Sequence, residues 1–588
     1  MKVETGTSKT KKRSKGKTAV YVLTTLVCAI AIILVTSAVV LQRITDLNSF
    51  AASAAENPER ADQLYFPVDA TYKWKTGYVA TLSEHASICD SEGTPLGTVP
   101  RGTQVKYETG EDGAVNVSYN GISGKLQDNA YIVGDMADVI PVHTQYVRTA
   151  VNLRSEDGRL MEVFADKGES VEITGYDYFE ENGEVHMYRV KFGEDEGYIM
   201  PWYLAPNEAD ALINFDGNGK YAIHADREDH YGGGSGDNLD YFPREKGEIE
   251  GNVMPDECRT LYLVSWRLEA VDEYIALADR SGINAFVVDI TDGTSIGYAS
   301  DVMNEYSPSA AAAAHNTVEE YKAAIQKIKD AGYYVIGRIT TFNDSFFVKD
   351  HPECAITDNS GSPLKLSGVY WPTPYDRTAW QYKVDLAVEA VQLMGFNEIQ
   401  FDYVRFPDRT MSYERAGTID FHNEYGETKA QAIQRFLMYA TDIIHEYGAY
   451  VSADVYGESA YTYVTAYGQY WPAISNVVDV ISGMPYPDHF GSTETWRPWE
   501  HPYETLFTWG ESAMARQSET ATPAVIRTWI QAYNAIREPY NTYGPDEVAA
   551  QIKGLRDSGC TGGYMTWNAA SSIDKYSSLV SAFAAPGE

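Results

Sequence analysis

The alternation of hydrophobic and polar positions divides the chain into distinct regimes. From Ala19 to Leu41 the residues are almost all apolar and none is charged, a run long enough to cross a bilayer as one helix. Residues 42–72 are polar and alanine-rich and read as a stalk. From 73 to 206 the pattern has period two between glycines. Gly102-Thr103-Gln104-Val105-Lys106-Tyr107 and Gly113-Ala114-Val115-Asn116-Val117-Ser118-Tyr119 are one set, and Gly168-Glu169-Ser170-Val171-Glu172-Ile173 and Tyr188-Arg189-Val190-Lys191-Phe192 a second. Such spacing predicts short antiparallel strands in two small barrels of similar plan, over 73–140 and 141–206. Residues 207–257, with Gly232-Gly233-Gly234-Ser235-Gly236 and many acids, read as an acidic glycine-rich linker with no core of its own.

From 258 to 588 the grammar changes to strand, helix, strand. Near-continuous apolar runs predict strands at Leu261–Ser265, Ala285–Ile290, Tyr334–Ile339, Glu398–Tyr403, Tyr450–Val455, Val478–Met484, Ala524–Gln531 and Gly563–Trp567. Helical periodicity appears at Leu268–Arg280, Val318–Ala331, Ala379–Met394 and Lys429–Tyr447. Strands apolar on both faces belong to a buried parallel sheet. Eight of them predict a closed (β/α)8 TIM barrel, and the missing GxGxxG after the first strand argues against a dinucleotide fold.

Charge sets the orientation of the apolar run. Seven basic residues and one acid, Glu4, precede it, so residues 1–18 carry +6 while the chain as a whole carries −36. A basic flank stays cytoplasmic. Residues 19–41 are therefore expected to be a single membrane span, with the bulk of the protein extracellular on a bacterial cell surface. A signal peptide cleaved among the small residues from Ser49 to Ala55 is the rival reading. An acidic exterior disfavours nucleic acid, and it disfavours anionic substrates unless the cleft is locally basic. The five cysteines form no CxxC pair and read as no disulfide framework.

Candidate chemistry lies at the C-terminal strand ends, which converge on one face of a barrel. These ends supply Trp266, Asp289 with Asp292, Arg338, Asp402 with Arg405, Asp454, Tyr486 with Asp488, Trp529 with Gln531, and Trp567 with Asn568. Glycoside hydrolysis needs two carboxyl groups flanking the scissile bond. Aromatic rings then stack on sugar faces while Arg, Asn and Gln grip hydroxyls. Asp402 is the expected nucleophile, and Asp454, on the next strand, the expected acid/base, with Glu458 and Asp488 as competitors. Asp289, Arg338, Arg405, Tyr486, Asp488, Trp529, Gln531, Trp567 and Asn568 are expected to bind substrate. No GxSxG elbow precedes a helix in the barrel, and no HExxH or P-loop occurs, so neither metal nor cofactor is expected. A magnesium site from Asp289, Asp292 and Asp402 is the weaker alternative. Asp216-Gly217-Asn218-Gly219-Lys220 opens like a calcium loop, but Lys220 and Tyr221 stand where an acid and a glycine are required.

Two resemblances extend this reading. Val151-Asn152-Leu153-Arg154-Ser155 followed by Gly168-Glu169-Ser170-Val171 resembles the opening of a bacterial SH3-like domain. That resemblance implies peptidoglycan, or a cell-wall glycan, as a candidate ligand of the two small modules; a spacer role is the alternative. The run Gly282-Ile283-Asn284-Ala285-Phe286-Val287-Val288-Asp289, through Ala331-Gly332-Tyr333-Tyr334-Val335-Ile336-Gly337-Arg338, to Phe401-Asp402-Tyr403-Val404-Arg405-Phe406-Pro407 resembles the glycoside hydrolase-type domain of bacterial surface proteins, a family long classed as of unknown function. It implies a TIM barrel related to the α-amylase and α-galactosidase groups, with the strand-four aspartate, here Asp402, as nucleophile. Those enzymes usually carry Glu on strand five, where this chain has Asp454. The implied function is hydrolysis of a surface or extracellular polysaccharide; a non-catalytic glycan-binding or wall-organising protein is the alternative.

Overall fold

The computed structural model describes residues 74–583 except 111, 128, 181, 230 and 294. The expected membrane span and stalk lie outside the described residues, and among the described ones no helix is long and apolar enough to cross a membrane. The chain forms two compact units, residues 1–139 and 140–588.

The described part of the first unit is a seven-stranded antiparallel sheet running from Lys75–Ala80 to Tyr131–Val133. Val79, Ala86, Ile88, Val99, Val105, Val117 and Leu126 form its core. The second unit begins with another seven-stranded antiparallel sheet, His143–Val147 to Leu204–Ala205, whose strands follow the same order as the first. The period-two pattern therefore did mark two copies of one plan.

The rest of the second unit is a near-closed parallel barrel. Its strands are β1 (Cys258–Leu263), β2 (Ala285–Asp292), β3 (Tyr334–Thr340), β4 (Glu398–Asp402), β5 (Tyr450–Tyr456), β6 (Val480–Met484), β7 (Thr528–Gln531) and β8 (Gly563–Trp567). After these in turn come helices α1 (Val271–Ala278), α2 (Val318–Asp330), α3 (Arg377–Met394), α4 (Lys429–Glu446), α5 (Trp471–Ser475), α6 (Pro502–Ser518), α7 (Pro545–Asp557) and α8 (Ile573–Phe583). Thr317 with Glu320 and Thr428 with Gln431 form capping boxes that start α2 and α4, each cap worth about 1 kcal/mol. The expected seventh strand, Ala524–Gln531, is broken. Val525–Ile526 pairs with β6, and β7 proper pairs with β8. The break falls at Arg527, whose Nη1 donates to both carboxylate oxygens of Glu398 inside the barrel, at 2.8 and 2.9 Å. Two residues along a strand share a face, so Glu398, Gln400 and Asp402 of β4 all point inward. Glu398 is neutralised at the bottom, and Asp402 emerges at the top.

The expected linker is not one. Leu239 and Tyr241 are buried with Ala430, Val464 and Tyr470 of the barrel. Ile249 and Met254 pack against the barrel core, and Asn252 Nδ2 donates to the carbonyls of Asn397 and Gly448, which precede β4 and β5. The glycines serve close approach rather than flexibility: a Cβ on Gly233 would lie 1.8 Å from the Thr465 carbonyl oxygen.

The second sheet also docks on the barrel. Asp442 of α4 accepts from Arg154 at 3.2 Å and Tyr203 at 2.5 Å, and pairs with Arg244. Arg377 Nε of α3 donates to Asn152 at 2.8 Å. His186 bridges Asp177 at 2.5 Å and Glu446 at 3.0 Å, and these carboxylates hold its imidazole well above its usual range, at about 9.

The Glu398–Arg527 pair is fully buried. Arg527→Met is expected to destabilise the protein by about 3–5 kcal/mol by leaving an unpaired buried carboxylate. Adding Glu398→Met should restore most of that loss in urea unfolding followed by tryptophan fluorescence.

Candidate active site

The inward face of the strand ends carries one connected polar cluster. Register places Asp289 of β2 beside Arg338 of β3, and Thr340 of β3 beside Asp402 of β4. Arg338, 1% exposed, donates through Nη1 to Asp289 at 2.7 Å and to Asp292 at 3.2 Å, and through Nη2 to Asp402 at 2.5 Å. A bare cation could not be buried here without such partners. The three acids that might have surrounded a magnesium ion surround a guanidinium instead.

Asp402 has a second anchor. Its Oδ1 accepts from the backbone N–H of Tyr403 at 2.6 Å, and Tyr403 sits in the left-handed region at φ 50°. A non-glycine residue there costs about 1–2 kcal/mol. The strain falls where the chain turns sharply out of β4, a common place for a functional constraint.

Above this cluster opens a cavity of about 770 Å³, within the size range of ligand sites. Of the residues expected from sequence, Asp402, Arg338, Arg405, Tyr486, Trp529 and Trp567 line it. Arg405 is 4% exposed. It donates to Tyr456 Oη at 2.7 Å and to the Phe406 carbonyl at 2.9 Å, among the rings of Trp371, Tyr403, Tyr456 and Tyr467. Trp567 lies 5.6 Å from Trp529, edge to face.

The other expected residues are absent from the cavity wall. Asp454 is the main correction. It is fully buried, its Oδ1 accepting from Trp529 Nε1 at 2.7 Å and its Oδ2 lying 4.0 Å from Arg338 Nε. Burial first, and then the nearby Asp402 charge, push its carboxyl well above the usual range. It therefore does not face Asp402 across an open cleft. Asp289 is equally sealed. Tyr262 Oη donates to it at 2.5 Å, and burial outweighs the Arg338 cation to raise its carboxyl to about 7. Asp488 is closed off by Tyr533, Gln531 and the Ile536 N–H. Gln531 is bonded within that network, and Asn568 donates to the Ala532 carbonyl. Trp266 falls in a short helical turn after β1, exposed, because β1 ends two residues earlier than its apolar pattern suggests.

The wall also includes Glu458, expected only as a competitor, along with Asp292, Tyr456, Tyr461, His489, Arg409 and Arg537. Glu458 accepts from Tyr467 Oη and has no ion-pair partner among the described residues. Arg409 and Arg537 lie in loops, where no hydrophobic period marks a residue as inward. Their only signal in the sequence is their position after a strand end. Four cysteines, Cys89, Cys258, Cys354 and Cys560, are free and buried.

Residues 260–573, just over half of the chain, match the family described as "Putative glycosyl hydrolase domain". No curated relative matches the chain. Among solved structures, a hypothetical protein from Ruminiclostridium thermocellum is 32% identical over 33% of this chain and 97% of its own, with a TM-score of 0.28. The PgaB (BpsB) glycoside hydrolase domain from Bordetella bronchiseptica is 14% identical over 55% of this chain and 99% of its own, with a TM-score of 0.40. Flavobacterium johnsoniae chitobiase is 11% identical over 55% and 47%, with a TM-score of 0.36.

The Asp289 shift carries a pH signature. A carboxyl at about 7 when folded and near 3.9 when unfolded binds more protons in the folded state between those values. Its contribution to stability is fully present below the lower value and is lost as pH rises through the upper one. In denaturant titrations from pH 4 to pH 7, the stability of the wild type relative to Asp289→Asn should fall with rising pH, by at most about 1.4 kcal/mol per unit.

Proposed function

Because the chain belongs to this glycosyl hydrolase family, we propose that its barrel hydrolyses a surface or extracellular polysaccharide, with Asp402 as nucleophile and Glu458 as acid/base. The observation that carries the proposal is that Asp402, fixed by Arg338 and by the Tyr403 N–H, borders the same cavity as Glu458 and the aromatic residues Tyr486, Trp529 and Trp567.

In the first step the Asp402 carboxylate attacks the anomeric carbon as the bond to the leaving oxygen breaks, and the Glu458 proton moves to that oxygen. In the second, Glu458 takes a proton from water, the resulting hydroxide attacks the anomeric carbon, and Asp402 leaves. Asp292 and Asp402 both pair with Arg338, whereas Glu458 is held only by a neutral phenol, so Glu458 suits proton transfer better. Asp454, the strand-five acid, takes no part in proton transfer in this scheme because it lacks access to the cavity. Its carboxyl accepts from Trp529 Nε1 and holds that ring in the wall instead.

We further propose that residues 1–18 are cytoplasmic, that 19–41 anchor the protein as a single-pass cell-membrane span, and that 42–72 raise the extracellular domains. The apolar run and its basic flank support this. The two antiparallel units are read as SH3-like modules. Asn152 and Arg154 of the second module's opening motif are bound to the barrel, which favours a scaffolding role over peptidoglycan capture for that module.

Reducing-end release from a panel of bacterial and plant polysaccharides by the full chain tests the reading. Asp402→Asn should abolish release, and Glu458→Gln should lower it by about 10²–10⁴. Azide should rescue Asp402→Gly by forming a glycosyl azide. Unchanged turnover in Asp402→Asn would end the proposal; loss in Asp454→Asn with Glu458→Gln unaffected would return the acid/base role to Asp454.

A further inference from the structure

The cavity wall itself carries more arginines than carboxylates, in a chain with the opposite balance. The whole sequence has 83 acidic and 47 basic residues, yet the wall carries four arginines (Arg338, Arg405, Arg409 and Arg537) against three carboxylates (Asp292, Asp402 and Glu458). Arg338 is neutralised from below by Asp289, Asp292 and Asp402. Of the remaining three arginines, Arg405 and Arg409 share a single acid, Asp408, at 3.9 and 3.5 Å. Arg537, in the loop after β7, has no ion-pair partner among the described residues. Its Nη1 donates to the Phe490 carbonyl at 3.1 Å and its guanidinium lies 5.9 Å from the centre of the Trp499 ring, so no carboxylate neutralises it among the described residues.

The cavity is thus supplied with exposed guanidinium groups from two loops, Arg409 after β4 and Arg537 after β7, which line it together with aromatic rings and the proposed catalytic acids. Guanidinium is the side-chain group suited to planar, bidentate recognition of a carboxylate. The exterior charge does not oppose this at contact range, because physiological salt screens it beyond about 8 Å.

From this the geometry points to a carboxylate-bearing glycan, of the uronic-acid class, as the substrate, with Arg537 and Arg409 as the residues that select its charge. The inference rests on the glycosidase reading of the cavity and narrows it.

The test uses the full chain carrying Asp402→Asn, so that ligand is not consumed. The probes are hexasaccharides of galacturonate, mannuronate and hyaluronan, each paired with its carboxyl-reduced, neutral counterpart and measured by calorimetry at two salt concentrations. At least one acidic member should bind about 10- to 100-fold tighter than its neutral counterpart, the range of one charge-assisted hydrogen bond, and weaken as salt rises. Arg537→Gln should remove that preference while leaving neutral binding unchanged; Arg537→Lys should restore part of it. Arg409→Gln provides an independent second variant.

Equal binding within every pair, or no binding by any acidic member, overturns the inference. So does an Arg537→Gln variant that weakens both members of a pair alike. Turnover of a neutral glycan that depends on Asp402 would sink the substrate class and leave the hydrolase intact. Selective binding of an acidic glycan that the wild type never cleaves would do the reverse.

Discussion

Arg338 lies in contact with three carboxylates and 4.0 Å from a fourth, almost wholly out of water. Burying a guanidinium is costly unless its charge and its donors are matched, so β2, β3 and β4 must keep their register for the top of the barrel to exist. The same residue sets the chemistry. It orients Asp402 and occupies the space between Asp289 and Asp402 that a metal would need. Structure and site are thus one constraint, and the buried Arg527–Glu398 pair repeats it at the other end of β4.

The surroundings of the barrel keep that core in place. The segment once expected to be a free linker seals the strand N-terminal end, with Asn252 bonded to the carbonyls before β4 and β5. The second antiparallel sheet is tied to α3 and α4 through Asn152, Arg154, Tyr203 and His186. Since α4 connects β4 to β5, this sheet buttresses the helix that separates Asp402 from Glu458 along the chain. Its opening motif, which resembles a ligand-binding module, is occupied by these intramolecular bonds.

Much of this was legible in the residues. Near-continuous apolar strands with an acid at the end announced β2, β4 and β5, and FDYVRFP marked the turn that carries Asp402 and Arg405. The two antiparallel sheets followed from period-two alternation between glycines. What escaped was of a different kind. Strand periodicity cannot separate Asp454 from Asp402, because both point inward; Asp454 is closed off against Trp529 while Asp402 borders the cavity. Arg409 and Arg537 lie on loops, where no period exists to read. Composition made 207–257 look like solvent-exposed linker, since glycine permits both flexibility and close packing and the sequence does not say which.

Local patterning by itself determined the strand set, the repeat of the small sheets and the candidate acids, because burial on a pleated or helical surface imposes a period on the chain. The tertiary structure alone decided which acids are paired, which are sealed in the interior and which meet the cavity. Those properties depend on desolvation and on distances between residues far apart in sequence, as between Asp402 and Arg338 or Asp454 and Trp529, and no local pattern encodes them.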